Sequence, residues 1–304
     1  MGGARGLSLP HSARQAADLA AFACLTELGA DKPGNVSLRR GLPGLTPSDF
    51  LYSASALRSG FCARPPRTVG RMVLATIRRT RQRVKTNTNL GLALILAPLA
   101  LASMRAEPRA ASPRQSHPTR WKLTLAALRQ QLRLILRELT LKDAREVYEA
   151  IRLAEPGGLG QMDQEDVSRH PRRDLRACMA LARHRDSIAA EYASSYSLTF
   201  QTGGPTLKRH MDHGLSLREA IVTTFLTLLA RRPDSLIARL RGLEVARRVS
   251  RLAAQVLKAG ATRTAAGRWR LAALDRTLRA SRLNPGTSAD LTAAAIFVAI
   301  ASER

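Results

Sequence analysis

Asp31, Lys32 and Asn35 stand in the segment DKPGNVS, where Pro33 and Gly34 make a tight turn after a helical stretch ending near Gly29. A lysine there offers a point charge to phosphate, and the carboxylate and amide beside it offer contacts to a metal or a hydroxyl. The plainer alternative is a helix-terminating turn with solvated charges. In KTNTNLG, residues 85–91, Thr86, Asn87, Thr88 and Asn89 give four consecutive hydroxyl or amide side chains ahead of a long apolar helix. The N-terminus of such a helix presents free N–H groups and a positive dipole end to anions. Capping by Thr88 or Asn89 accounts for one of the four. A third loop, EPGGLGQMDQEDV, residues 155–167, gathers Glu155, Asp163, Glu165 and Asp166 in a chain otherwise short of acid. Such an oxygen-rich cluster suits Mg2+, which takes one or two carboxylates together with substrate phosphates.

Two later segments complete the set. PDSLIAR, residues 233–239, sets Asp234 at a helix start with Arg239 a turn and a half further on, and NPGTSADL, residues 284–291, crowds Gly286, Thr287, Ser288 and Asp290 ahead of an apolar helix. His210 and His213 form HxxH, but no third ligand accompanies them, so contact with phosphate or solvent is the better reading of His210 than zinc. The familiar nucleotide and hydrolase signatures GxxxxGK[ST], GxGxxG after a strand, GxSxG and HExxH are absent.

The elements that must position these loops are helical. Leu128, Leu132, Ile135 and Leu139 follow Leu125 at steps of three and four, and Val245, Val249, Leu252 and Val256 repeat the pattern. Thr140 with Asp143, Ser216 with Glu219, and Thr287 with Asp290 read as capping boxes. Alternating β-branched runs and Asn-Gly or Asp-Gly hairpin turns do not occur. These signals predict helices near 12–28, 48–59, 68–84, 90–104, 121–138, 141–154, 172–199, 205–213, 217–232, 235–258, 267–282 and 288–301. The expectation is one all-α domain over residues 1–304, of about a dozen helices, with an exposed, mobile loop at about 105–120 where Pro, Ser and Arg replace any apolar period.

Composition narrows the partners. The formal charge is +26, but Lys occurs only six times and the arginines are spread through every segment, while Phe, Trp and Tyr make up 4%. Base-stacking platforms are therefore scarce, and nucleic acid is disfavoured as the main partner. A polyanionic small substrate suits the charge better. The longest apolar run, Leu90 to Ala102, is broken by Pro98 and falls short of the ~18 to 20 residues a membrane helix needs. Cys24, Cys62 and Cys178 are isolated, so a disulfide framework or thiolate zinc site is not suggested. The N-terminus lacks a signal-peptide pattern, and a cytoplasmic location is expected.

Taken in order, DKPGNVS, NTNLG, PGGLG, the Asp-Ser of PDSLIAR and NPGTSADL resemble the triphosphoribosyl-dephospho-CoA synthase family, of the CitG and MdcB type. Lys32, Pro33 and Gly34 match that family's KPG. Asn87, Thr88 and Gly91 match its VNTHKG, with Asn89 and Leu90 in place of His and Lys. Asp234 and Arg239 match its DTN followed by Arg, and Pro285 to Leu291 match its SPGGSADL except at Thr287. The resemblance implies transfer of a triphosphoribosyl group from ATP, with Mg2+, to 3'-dephospho-CoA and release of adenine. A related transferase acting on a pterin-like cofactor precursor, or a nucleotide- or RNA-binding protein without turnover, are the alternatives. Asp31, Asp234 and Asp290 are then the candidate catalytic carboxylates, and Asp163 and Asp166 the candidate metal ligands. Lys32, Gly34, Asn35, Asn87, Thr88, Asn89, His210, Arg239, Gly286 and Ser288 are the candidate substrate-binding residues. Converging loops at one end of a helical bundle are expected, with Lys32 and Arg239 holding phosphate and contributing little to stability.

Overall fold

A computed structural model describes residues 11–63, 67–106 and 124–303. The chain is all-α: α1 (His11–Leu28), α2 (Pro47–Phe61), α3 (Val69–Arg81), α4 (Leu90–Arg105), α5 (Leu125–Arg137), α6 (Leu141–Ala154), α7 (Leu175–Ala182), α8 (Ser187–Ser194), α9 (Gly204–Asp212), α10 (Leu217–Arg231), α11 (Ser235–Arg241), α12 (Leu243–Lys258), α13 (Ala265–Ala280) and α14 (Gly286–Glu303). A π-helical turn, Thr199–Gly203, leads into α9. Among the described residues the only extended pairings are two isolated bridges, Ser37 with Arg40 and Leu42 with Leu45. The 105–120 connection lies mostly outside the described residues. None of the described helices is long and apolar enough to cross a membrane.

Two helices that are apolar nearly all round, α4 and α14, form the centre and pack against each other. Around them, α1, α3 and α5 cover α4, while α1, α9, α10 and the π turn cover α14. A helix without a polar face has to be surrounded in this way. The outer helices are amphipathic, as α5 shows: Leu128, Leu132 and Ile135 are buried at the predicted spacing.

Pro98 lies inside α4. It has no N–H for the carbonyl of Leu94, which would be orphaned in the core. The hydroxyl of Tyr192 donates to that carbonyl at 2.8 Å, and Tyr196 donates to the carbonyl of Ile95 at 3.0 Å. Both tyrosines are fully buried, so the 187–196 segment is fastened to the central helix, Tyr192 through the carbonyl that the proline leaves free.

The capping boxes at Thr140 and Ser216 form, and a third, unforeseen, joins Thr46 with Asp49. The box expected at Thr287 and Asp290 does not. Helix α14 already begins at Gly286, and the carboxylate of Asp234 accepts the Ser288 N–H from another part of the chain. The 172–199 prediction divides into α7 and α8 because Asp186 caps a new helix, accepting from Ile188 N and Ala189 N. The 235–258 prediction divides at Gly242, whose φ of 92° ends α11.

Candidate functional site

A cavity of about 220 Å3 opens where the end of α1, the start of α4, the α7 to α8 turn, α11 and the start of α14 meet. Its lining mixes polar residues, among them Glu27, Asn35, Asn87, Glu165, Asp186, Arg239 and Asp290, with apolar ones such as Val147, Ile151, Leu159, Leu175, Met179 and Ile188. Five loops far apart in sequence thus share one site.

The 31–37 turn is held from below. Gly34 has φ +70°, its N–H donates to Asp275 at 2.9 Å, and a Cβ at this position would come within 2.8 Å of Leu278 and the Leu283 carbonyl. Only glycine suits both the backbone angle and the space. Asn35 is carried to the cavity wall, where its amide donates to Asn284 Oδ1 at 2.8 Å. Lys32 points the other way. It is 1% exposed, its Nζ donates to the carbonyls of Glu27 and Ala30 at 2.6 and 3.0 Å, and it lies 2.8 Å from the Glu27 carboxylate. It serves Glu27 and does not line the cavity as the expected phosphate contact. Asp31 is exposed, accepts from Ser37 Oγ at 2.6 Å, and lies outside the cavity.

The polar run before α4 is divided by function. Asn87 Oδ1 caps Leu90 N at 3.1 Å. Thr88 and Asn89 border the cavity while bonding to protein, Thr88 to Ser53 Oγ at 2.5 Å and Asn89 to Thr80 Oγ1 at 2.9 Å and the Ser53 carbonyl at 3.2 Å. Asn89 is 2% exposed and Leu90 is buried, so the two departures from the family motif are packed inward. Gly91 allows the closest approach in the site: a Cβ there would sit 1.9 Å from Asp290 Oδ2.

Asp290 projects from the second turn of α14. Burial raises its pKa well above the usual carboxylate range, and the negative charges of Glu27, Asp234 and Asp186 add to this against the opposing Arg239. Glu27 is likewise raised by burial, with Lys32 opposing. Asp234 lies behind the cavity wall, 1% exposed. One oxygen accepts from Leu236 N and Ile237 N, at 2.9 and 3.1 Å, and the other from Ser288 N and Oγ, at 2.7 and 2.8 Å. It joins the N-termini of α11 and α14, which sets the position of Asp290 and of Gly286. Arg239 pairs with Asp186 at 2.6 Å, and its Nε is buried without a hydrogen-bond partner.

The two expected metal carboxylates do not come together on an ion. Asp163 is exposed and outside the cavity. Asp166 accepts from Met162 N, Ser168 N and Ser168 Oγ, bonds that lower its pKa to about 2, with the Ser168 bonds foremost. It shapes the loop. Among the described residues no group of three His, Cys, Asp or Glu is arranged to hold a metal ion. His210 sits on α9, away from the cavity, with its pKa lowered by burial and by Arg263 and Arg209.

Glu27 and Asp186 were not among the sequence candidates. Glu27 continues the buried stripe Ala16, Ala20 and Ala23, and a carboxylate at helical spacing on an apolar stripe is a readable signal. Asp186-Ser187 repeats the Asp234-Ser235 pair, and both aspartates cap helices bordering the cavity.

Comparison with known proteins identifies the family. No curated protein matches. A solved structure from Archaeoglobus fulgidus, assigned as a triphosphoribosyl-dephospho-CoA synthase, is 24% identical, with the match covering 84% of this chain and 98% of that one at a TM-score of 0.60. At that identity the likeness speaks for the fold. The family model for CitG, ATP:dephospho-CoA triphosphoribosyl transferase, matches residues 13–304 and takes in every loop of the cavity; by that match the chain belongs to the CitG family of transferases.

Proposed function

We propose that the protein transfers the 5-triphosphoribosyl group of ATP to the 2'-hydroxyl of 3'-dephospho-CoA and releases adenine. The observation that carries this reading is Asp290, a carboxyl group with a strongly raised pKa in the wall of a cavity that Glu27, Asn35, Asn87 and several apolar side chains also line.

A purine has flat, weakly polar faces that suit the wall of Val147, Ile151, Leu159 and Met179. With the base there, the ribose lies toward the carboxyl groups, where Asn35 and Asn87 offer amides to its hydroxyls. As the C1'–N9 bond breaks, its electron pair leaves with adenine and the acceptor's 2'-oxygen bonds to C1'. The sugar becomes positive during this exchange, and Glu27, where Lys32 opposes the rise in pKa that burial causes, places a carboxyl group beside it that stabilises the charge when ionised. Asp290 gives its proton to the departing base, and the proton of the 2'-hydroxyl restores it. Mg2+ enters with the substrate as Mg-ATP, its ligands being phosphates and water together with at most one or two carboxylates.

The test is chromatography of purified protein incubated with Mg-ATP and dephospho-CoA. Adenine formed in step with a triphosphoribosylated dephospho-CoA is the expected result. Absence of adenine overturns the reading, and adenine formed only with another acceptor, a pterin-like precursor for example, retains the donor and replaces the acceptor.

A further inference from the structure

We propose that an arginine-lined groove beside the cavity is an oligophosphate subsite of the same catalytic centre, a placement that rests on the transferase reading above. The groove measures about 1080 Å3 and runs between the α7 to α8 turn, the end of α10 and the start of α12. Arg183, Arg185, Arg231, Arg232, Arg239 and Arg247 line it. Arginine thus makes up 6 of its 22 lining residues, against 49 Lys and Arg together in 304 residues of the whole chain.

Its only acid, Glu191, forms no ion pair with these arginines; its two oxygens accept Leu198 N and Thr199 N at 3.0 and 2.8 Å. Arg247 pairs with Glu244 and Arg239 with Asp186, whereas Arg183, Arg185 and Arg231 have no carboxylate partner among the described residues. Arg232 is fixed across the groove floor, donating to Ser187 Oγ at 3.0 Å and to the Arg183 carbonyl at 2.8 Å. Planar guanidinium groups arranged around a concave surface suit bidentate contacts to successive phosphates.

The two hollows adjoin, since Leu159, Arg185 and Arg239 line both. The first has only Arg185 and Arg239 as cations, because Lys32 is spent on Glu27. A ligand whose base and sugar occupy the carboxyl-lined cavity therefore finds cations for its phosphate chain in the groove. Both substrates of the proposed reaction carry such a chain, the triphosphate of ATP and the diphosphate of dephospho-CoA.

The test uses the full chain and the double variant Arg183→Gln/Arg231→Gln, whose side chains line the groove alone. Calorimetry with inorganic tripolyphosphate should show binding to the parent and at least tenfold weaker binding to the variant. Arg270→Gln/Arg276→Gln, which removes two exposed charges from α13, should bind like the parent. No binding to the parent, equal binding to the groove variant, or an equal loss in the α13 variant overturns the proposal. In adenine-release kinetics, a raised KM for ATP alone assigns the groove to the triphosphate and a raised KM for dephospho-CoA alone to the diphosphate. Two unchanged KM values overturn it. Failure of the transferase reading is seen separately, as absence of adenine from the parent, and the calorimetric comparison then still decides the groove.

Discussion

Asp290 and its neighbours carry opposite obligations within a few side chains of one another. Its high pKa has burial as the main cause, then the charges of Glu27, Asp234 and Asp186. An acid whose folded pKa is raised binds more protons in the native than in the unfolded state. It therefore contributes stability that is fully present below the unfolded value of about 3.9 and is lost as pH rises through the folded pKa. Asp290→Asn removes that penalty, so the variant should unfold at the same or a higher denaturant midpoint above neutral pH. Adenine release should nevertheless fall by roughly 10²–10⁴, the usual contribution of a positioned proton donor. In the parent, activity should fall as pH rises and Asp290 loses its proton, a limb absent from the residual activity of the variant. Equal activity of the two proteins would remove Asp290 from the chemistry. Lys32 behaves in the reverse sense. Sequence reasoning assigned it to phosphate, yet it is 1% exposed and paired with Glu27. Leaving one partner of a buried pair alone costs about 3–5 kcal/mol, so Lys32→Met should lower the denaturation midpoint markedly. Lys32→Met/Glu27→Gln should recover part of that loss without recovering activity. If Lys32→Met keeps full stability and weakens only ATP binding, the inward geometry is wrong.

At the scale of elements, helices were legible because their signals are local. The stripe Leu128, Leu132, Ile135 and the boxes at Thr140 and Ser216 are satisfied within one helix, so spacing alone identifies them. Asp290 could not be read in this way. Its spacing from Thr287 mimics a capping box, but Asp234 supplies the cap from 54 residues away, which frees Asp290 for the cavity. Lys32 was decided by partners close in sequence, the carbonyls of Glu27 and Ala30, which take up the charge that its type suggested for a ligand. The breaks at Asp186 and Gly242 were hidden because the flanking residues keep an apolar period across them. Pro98 offers a direct test of such a distant contact. Tyr192→Phe leaves the Leu94 carbonyl without the hydroxyl that replaces the missing proline N–H. An unsatisfied buried acceptor costs about 1–3 kcal/mol, and equilibrium urea unfolding should show a loss in that range. Tyr192→Phe with the stability of the parent would mean that the carbonyl is satisfied in another way.

For the whole molecule, the site exists only when the chain is complete around α4 and α14, because its walls come from segments as far apart as Glu27 and Asp290. The excess of +26 charges, in contrast, is a property of the entire surface. These two facts separate the transferase from a protein that merely gathers polyanions. RNA held by diffuse charge is released as salt rises, with a logarithmic slope of about −0.7 per neutralised phosphate. A ligand in the cavity binds the native state alone and stabilises it by about 2.7 kcal/mol at a hundred times its Kd. Mg-ATP should therefore raise the thermal midpoint of the parent at 0.3 M salt, a condition (~6 Å screening length) that strips surface-bound RNA. Gly91→Ala should abolish the shift while leaving helical content intact, since a Cβ at this position would displace the Asp290 carboxyl group. A shift of equal size with a single-stranded RNA, or one that survives in Gly91→Ala, would place nucleotide binding on the general surface and away from the cavity.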